Sequence, residues 1–357
     1  MTLAADIDDR IAAAAAYLSS RRSVDRLWRD FETLAGTSSD WVTAFICFAV
    51  RDCRRLRDEV EGALTALVRR QRRNGGWSYN EHVPTDCDST AWVLLALSTR
   101  VMWRPSVVVR ARNYVVRHAD PSSGGFMTYA PGDAIERYIG ANREQTHGWL
   151  APHPCVTSVA LQALLLHGER TDGPLLRSAI TYLTNAQDPH GLWTSYWWPG
   201  KAYNTYFALR ALLMARAVPA RAAHAVLDAV ARDQDPSGGW RVGKDQTPGV
   251  FNTSLHALTL LLLPHEQRWE ACEAAIAWLL DAQQNDGSWP GRPILRIPAP
   301  MISEPDDDAT WAEVPASGTG TIVRDQHRLF TTATALWALA VSRVVLRAKS
   351  AARKADR

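Results

Sequence analysis

Two carboxylates stand two residues apart in TDCDSTAW (85–92), just ahead of a run of apolar helix formers. Asp86 and Asp88, with the Cys87 thiol between them and the Ser89 hydroxyl after, are costly groups to place at the mouth of a buried helix. Three uses would justify them. A carboxylic acid kept neutral by burial and by a like charge beside it can act as a general acid. Asp, Cys and His together can hold zinc, with His153 and Cys155 as the further ligand candidates. An Asp ahead of a helix can also simply cap it. Neighbouring helical side chains diverge by about 100°, so Asp86 and Cys87 do not converge on one tetrahedral ion. Neither a metal nor any other cofactor is expected.

These groups must be positioned by helices, and the helices are announced by a repeat. QRRNGGW (71–77), QDPHGLW (187–193), QDPSGGW (234–240) and the segment 283–289 all fit Q-x-x-x-G-x-W, and DPSSGGF (120–126) is a degenerate fifth copy. Their aromatic ends step by 49, 67, 47 and 49 residues, a period that marks a repeat architecture. A second register lies between them: Thr43, Thr90, Thr157, Thr205, Thr253 and Thr332 each open a helix that is apolar nearly all round. Amphipathic stretches such as SVVVRARNYVVRH alternate with these. Six buried helices ringed by six amphipathic ones predict an all-α, α6/α6 toroid, read as a single domain over 1–357. Two intervals exceed the period, giving insertions at about 130–153 and 291–327. Both precede inner helices, so they fall at the end that carries Asp86 and Asp88, where long insertions form lids or binding loops.

Together these motifs resemble the terpenoid cyclase and protein prenyltransferase superfamily, in particular squalene-hopene-cyclase-like repeat proteins. The resemblance implies that Trp77, Trp193, Trp240 and Trp289 clamp outer helices rather than take part in chemistry. TDCDSTAW looks like the family's D-x-D-D-T-A acid motif, with Ser89 in the place of its last Asp. It implies a class II-like cyclase, or isomerase, in which Asp88 protonates a polyprenyl-type or other polyene substrate, assisted by Asp86 and Ser89. Cations formed in such a reaction need aromatic faces. The candidates are Trp41, Trp92, Trp197, Trp198, Tyr203, Phe207, Phe251 and Phe330, each of which core packing would explain equally well. His256 is either an orienting partner for a carboxylate or a hydrogen-bonded core residue. Family cyclases build their site between two helical barrels, so the insertions, a homodimer or a partner subunit would have to close this one. Two alternatives stay open: a non-catalytic isoprenoid-binding scaffold, and a zinc-dependent prenyltransferase-like subunit.

Composition narrows the partners. The net charge of +3 is balanced, which gives no mandate for nucleic acid, and no phosphate loop, dinucleotide motif or nucleophile elbow is present. Five scattered cysteines fit a reducing setting. The N-terminus lacks a secretory pattern and no uninterrupted apolar run reaches ~18 residues, so a cytoplasmic protein with at most peripheral membrane contact is expected. The acidic EPDDDATW (304–311) has the charge of a diphosphate–magnesium motif, but Pro305 favours a solvated turn.

Overall fold

The computed structural model describes residues 3–99, 105–132, 134–242, 247–305, 311 and 318–355. Six inner helices, α2 (Asp40–Ala49), α4 (Cys87–Leu97), α7 (Pro154–Leu166), α9 (Ala202–Met214), α11 (Val250–Leu260) and α13 (Leu329–Ala355), pack each on the next. α13 returns to α2 and closes the ring. Around them run α1 (Leu3–Ser20), α3 (Arg57–Arg69), α5 (Pro105–Val116), α8 (Pro174–Asn185), α10 (Ala220–Arg232) and α12 (Trp269–Asp281). The toroid expected from the sequence is therefore the observed fold. The difference between the two rings is written in burial. In α11 every residue is buried, whereas α10 buries the stripe Ala223, Val226, Leu227 and Val230, one face of a helix. Within α13, residues 329–351 are long and apolar enough to cross a membrane, yet 67% of their most apolar 18-residue window is buried.

The repeat is a hydrogen-bond module that joins three helices. Trp77, Trp193, Trp240 and Trp289 each donate the indole N–H to a carbonyl ten residues back, on the preceding outer helix, at 2.7 to 2.9 Å. Their backbone N–H groups donate to Thr90, Thr205, Thr253 and Thr332. The register threonines thus tie each turn to the inner helix that follows. Gln71, Gln234 and Gln283 donate to both the Gly carbonyl of the turn and a carbonyl of the next outer helix. Gly238 needs φ +99°, and a Cβ there would lie 2.6 Å from the Ala274 carbonyl oxygen.

A sixth copy escaped the sequence pattern. Trp28 bonds Leu18 and Thr43 as the other tryptophans bond theirs, while Arg22 stands where Gln would and donates to the Glu59 carbonyl. The interval that follows it carries a hairpin of β1 (Asp30–Thr33) and β2 (Gly36–Ser38). The longer insertions hold α6 (Ile135–Ile139) and an antiparallel pair, β3 (Pro293–Ile297) with β4 (Thr321–Arg324). Residues 306–310 and 312–317 of the acidic segment and its surroundings lie outside the described residues. All three additions precede inner helices, and β1 packs against β4.

Candidate active site

Two residues before each register threonine, the inner helices contribute Trp41, Asp88, Cys155, Tyr203, Phe251 and Phe330. Helical phase brings this position to the same face in all six. Successive rings meet around the barrel: Trp41 to Phe330 at 5.2 Å, Phe330 to Phe251 at 5.7 Å and Phe251 to Tyr203 at 6.5 Å. Trp198 stacks over Tyr203, Phe251 and Phe330 at 4.5, 5.2 and 5.2 Å and contacts Trp41 at 5.8 Å. One turn deeper, Phe45, Trp92 and Phe207 form a second aromatic layer. The barrel interior is thus filled with rings, and Asp88 is the one acid in the upper circle.

The two carboxylates divide the work. Asp86 is the N-cap of α4: it accepts from the Ser89 N–H at 2.6 Å and from the Ser89 hydroxyl at 2.7 Å. Capping is therefore not the role of Asp88, which sits in the first turn and opens on a cavity. Protein surrounds Asp88 on every other side. That burial, and next the charge of Asp86, push its carboxyl well above the ordinary range, so it holds its proton. Only the Trp41 indole acts the other way on Asp88, and its N–H makes no full hydrogen bond.

The cavity measures about 630 Å³. Its floor is Trp41, Trp198, Asp88 and Ser89, and its walls include Trp197, Tyr79, Tyr129 and Trp149. The insertions complete it. Ile135 and Ile139 of α6, Leu295 and Ile297 of β3, and Leu34 of the first hairpin all face it. Leu34, Tyr138 and Met301 are substantially exposed and mark the mouth. Of the aromatic candidates, Trp41, Trp197 and Trp198 are on the wall. Trp92, Tyr203, Phe207, Phe251 and Phe330, expected there from their place at helix starts, lie off it because Trp198 covers the ring below. His256 also lies off the wall. It packs at 5.3 Å from Trp240, Nδ1 lacks a partner, and burial pushes it down to about 3. Tyr79, Tyr129 and Trp149 went unremarked in the sequence because they sit in irregular segments with no period to flag them.

The metal-ligand candidates are occupied otherwise. His153 stacks on Tyr196 at 3.7 Å, bonds the Gly148 carbonyl through Nε2 at 2.9 Å, and is pushed down to about 3 by burial. Burial pushes the Cys155 thiol up. Among the described residues no three His, Cys, Asp or Glu side chains converge.

Comparison with known proteins adds independent findings. Residues 61–294 match the squalene-hopene cyclase C-terminal domain. Drimenyl diphosphate synthase from Streptomyces showdoensis is 26% identical over 248 residues, and squalene–hopene cyclase from Bradyrhizobium diazoefficiens 25% over 249. These matches take in 66% and 63% of this chain but span only 42% and 37% of those proteins. The type II terpene cyclase MstE from Scytonema, solved with geranylgeranyl dihydroxybenzoate, superposes with a TM-score of 0.85 at 26% identity. That superposition covers 96% of this chain and 98% of that one.

Proposed function

Because the chain belongs to the squalene-hopene cyclase C-terminal family, we propose that it is a class II terpene cyclase that starts ring closure of a polyprenyl-type polyene by protonation from Asp88. The observation that carries the proposal is a half-buried carboxylic acid, held neutral, that opens on a cavity walled by aromatic rings. The Asp88 O–H bond breaks as a C–H bond forms at the terminal alkene, leaving a tertiary cation. The π pair of the next alkene then closes a ring and moves the cation along the chain, until a C–H bond beside it breaks, its pair forms an alkene and the proton leaves to solvent, from which Asp88 is reprotonated. The faces of Trp41 and Trp198 are placed to stabilise the cation, and Trp197, Tyr129 and Trp149 lie along the wall beyond. After transfer the Asp88 carboxylate is favoured by the Trp41 N–H and by the positive end of α4. Asp86, fixed by both Ser89 donors, keeps the acid from ionising before substrate binds. Ser89 thus provides the hydrogen bond that an acid provides in the family motif.

MstE has been solved with geranylgeranyl dihydroxybenzoate as substrate and with merosterolic acid A as product, which supports a polyene ligand in a site of this shape. The test is Asp88→Asn, which removes the transferable proton while keeping the volume. Expected is a folded protein that binds a polyprenyl ligand and gives no cyclised product by mass spectrometry. Product formation at the parent rate would end the proposal.

A further inference from the structure

The charges around the cavity speak to the substrate's head group. An alkene protonated by Asp88 must have its tail on the floor, between Trp41 and Trp198, and its head toward the exposed rim at Leu34, Tyr138 and Met301. Among the described residues, the acidic side chains on the cavity wall are Asp86 and the protonated Asp88, and no Lys, Arg or His joins them. The nearby arginines of the insertions are turned away or engaged. The α6 helix faces the cavity with Ile135, Tyr138 and Ile139 and leaves Arg137 exposed, as Arg143 is. Arg296 spends its guanidinium on the Ser195 and Tyr196 carbonyls. What the outer half of the cavity offers instead is neutral: Thr33, Gln145 and Thr319.

We infer that the substrate carries its polyprenyl chain on an uncharged head, such as an alcohol or a phenol, and not on a diphosphate. The inference rests on the cyclase reading above and makes it more specific. A diphosphate desolvated here would meet no cation. Its field would also add to that of Asp86 and weaken Asp88 as an acid. Neutral hydrogen-bonding groups meet a hydroxyl without either penalty. The sequence joining Pro305 to Gly318 carries Asp306, Asp307, Asp308 and Glu313 and no basic residue. An anionic head would therefore need a divalent cation as intermediary, which the experiment addresses directly.

Binding of chain-matched geranylgeranylphenol and geranylgeranyl diphosphate to Asp88→Asn protein, each with and without Mg²⁺, is read by quenching of tryptophan fluorescence. Wild-type turnover of the same four conditions is followed in parallel by mass spectrometry. The phenol is expected to bind at least tenfold more tightly than the diphosphate, with Mg²⁺ leaving that order unchanged, and to be the substrate cyclised. Gln145→Arg, which adds one cation at the rim, is expected to strengthen diphosphate binding several-fold and so to narrow the preference for the phenol. Equal or tighter binding of the diphosphate in either condition, or its faster turnover with Mg²⁺, overturns the inference and leaves the cyclase reading standing. Preferred binding of the phenol with no cyclisation of either compound supports the inference and removes the cyclase reading.

Discussion

Thr90 and Thr253 make the same bond in two places, and only one of them touches the acid. Each accepts a buried backbone N–H, from Trp77 and Trp240 respectively, at 3.0 Å. Thr90 in addition donates to the Asp86 carbonyl at 2.7 Å, at the cap of the helix that carries Asp88. Replacing either with Val keeps the shape and strands a buried N–H, at a cost of about 1–3 kcal/mol. For a chain of this length that lowers the melting temperature by about 1–4 °C. The two variants should therefore lose similar stability. They should differ in activity. Thr253→Val leaves Asp86 and Asp88 where they are and should keep near-parental kcat. Thr90→Val removes the shorter of the two bonds that the Asp86 carbonyl accepts and leaves the one from the Thr90 N–H at 3.2 Å, and a displacement of even part of an ångström at a reacting group is felt in rate. Its kcat should fall about tenfold or more. Thr90→Ser, which keeps the hydroxyl, should restore most of the rate while losing a methyl worth about 1 kcal/mol. Calorimetry and turnover on the three proteins decide it. Equal activity in the two Val variants, or no loss of stability in either, would refute the idea that the register threonines hold both the fold and the acid.

Three further outcomes follow from the same geometry. In the proposed reaction Asp88 acts in its protonated form and its carboxyl lies above the usual range, so turnover should be present at lower pH and fall as pH rises through that raised value. Asp86→Asn removes one of the two causes and should move this fall to lower pH; a limb that stays in place in the pH–rate profile would contradict the assignment. Arg296→Ala would strand the Ser195 and Tyr196 carbonyls and free the turn carrying Trp197 and Trp198. It should cost about 2–4 kcal/mol in denaturant titration and increase water-quenched product. Asp325 is buried beside Asp30, and burial first, then that neighbour, raise its carboxyl well above the ordinary value. The fold thus holds this proton more tightly than the unfolded chain does, so stability declines as pH rises above the normal carboxylate range. Asp325→Asn should gain melting temperature relative to the parent as pH goes from 5 to 8, and a constant or shrinking difference would falsify this.

Much of the fold was legible because each repeat repeats a physical demand. A positive-φ Gly, a Trp that reaches back to its outer helix and a Thr that receives its N–H must recur wherever that joint recurs. Trp28 was hidden because Arg22 performs the Gln's reach with another side chain, so the pattern broke while the bond survived. The resemblance assigned the proton to Asp88, but the residues by themselves left capping open to both carboxylates, and only the structure makes Asp86 the cap. Both residues are compatible with either task until the helix start is fixed to one residue. Depth was the other limit. A helix pattern gives the face on which Phe207 or Trp92 lies, and both do point inward. It does not say that Trp198, delivered by a turn, ends the cavity above them.

That turn also shapes the cavity that this ring and its insertions wall. Arg296 of β3 donates to the Ser195 and Tyr196 carbonyls, and its own N–H bonds the Trp197 carbonyl at 2.8 Å. Trp149, from the other insertion, reaches the Pro298 carbonyl at 3.1 Å, and Trp197 bonds Thr128 at 2.9 Å. Each addition to the repeat is therefore fastened to another, and the aromatic floor is fastened to both. The walls that lengthen the cavity are the same segments that hold Trp198 over the ring, so closing the site and setting its depth are one structural act. A freely moving lid would need few such bonds. This arrangement instead presents a polyene with a rigid floor, and it concentrates adaptation to the head group at the rim, where Leu34, Tyr138 and Met301 are exposed.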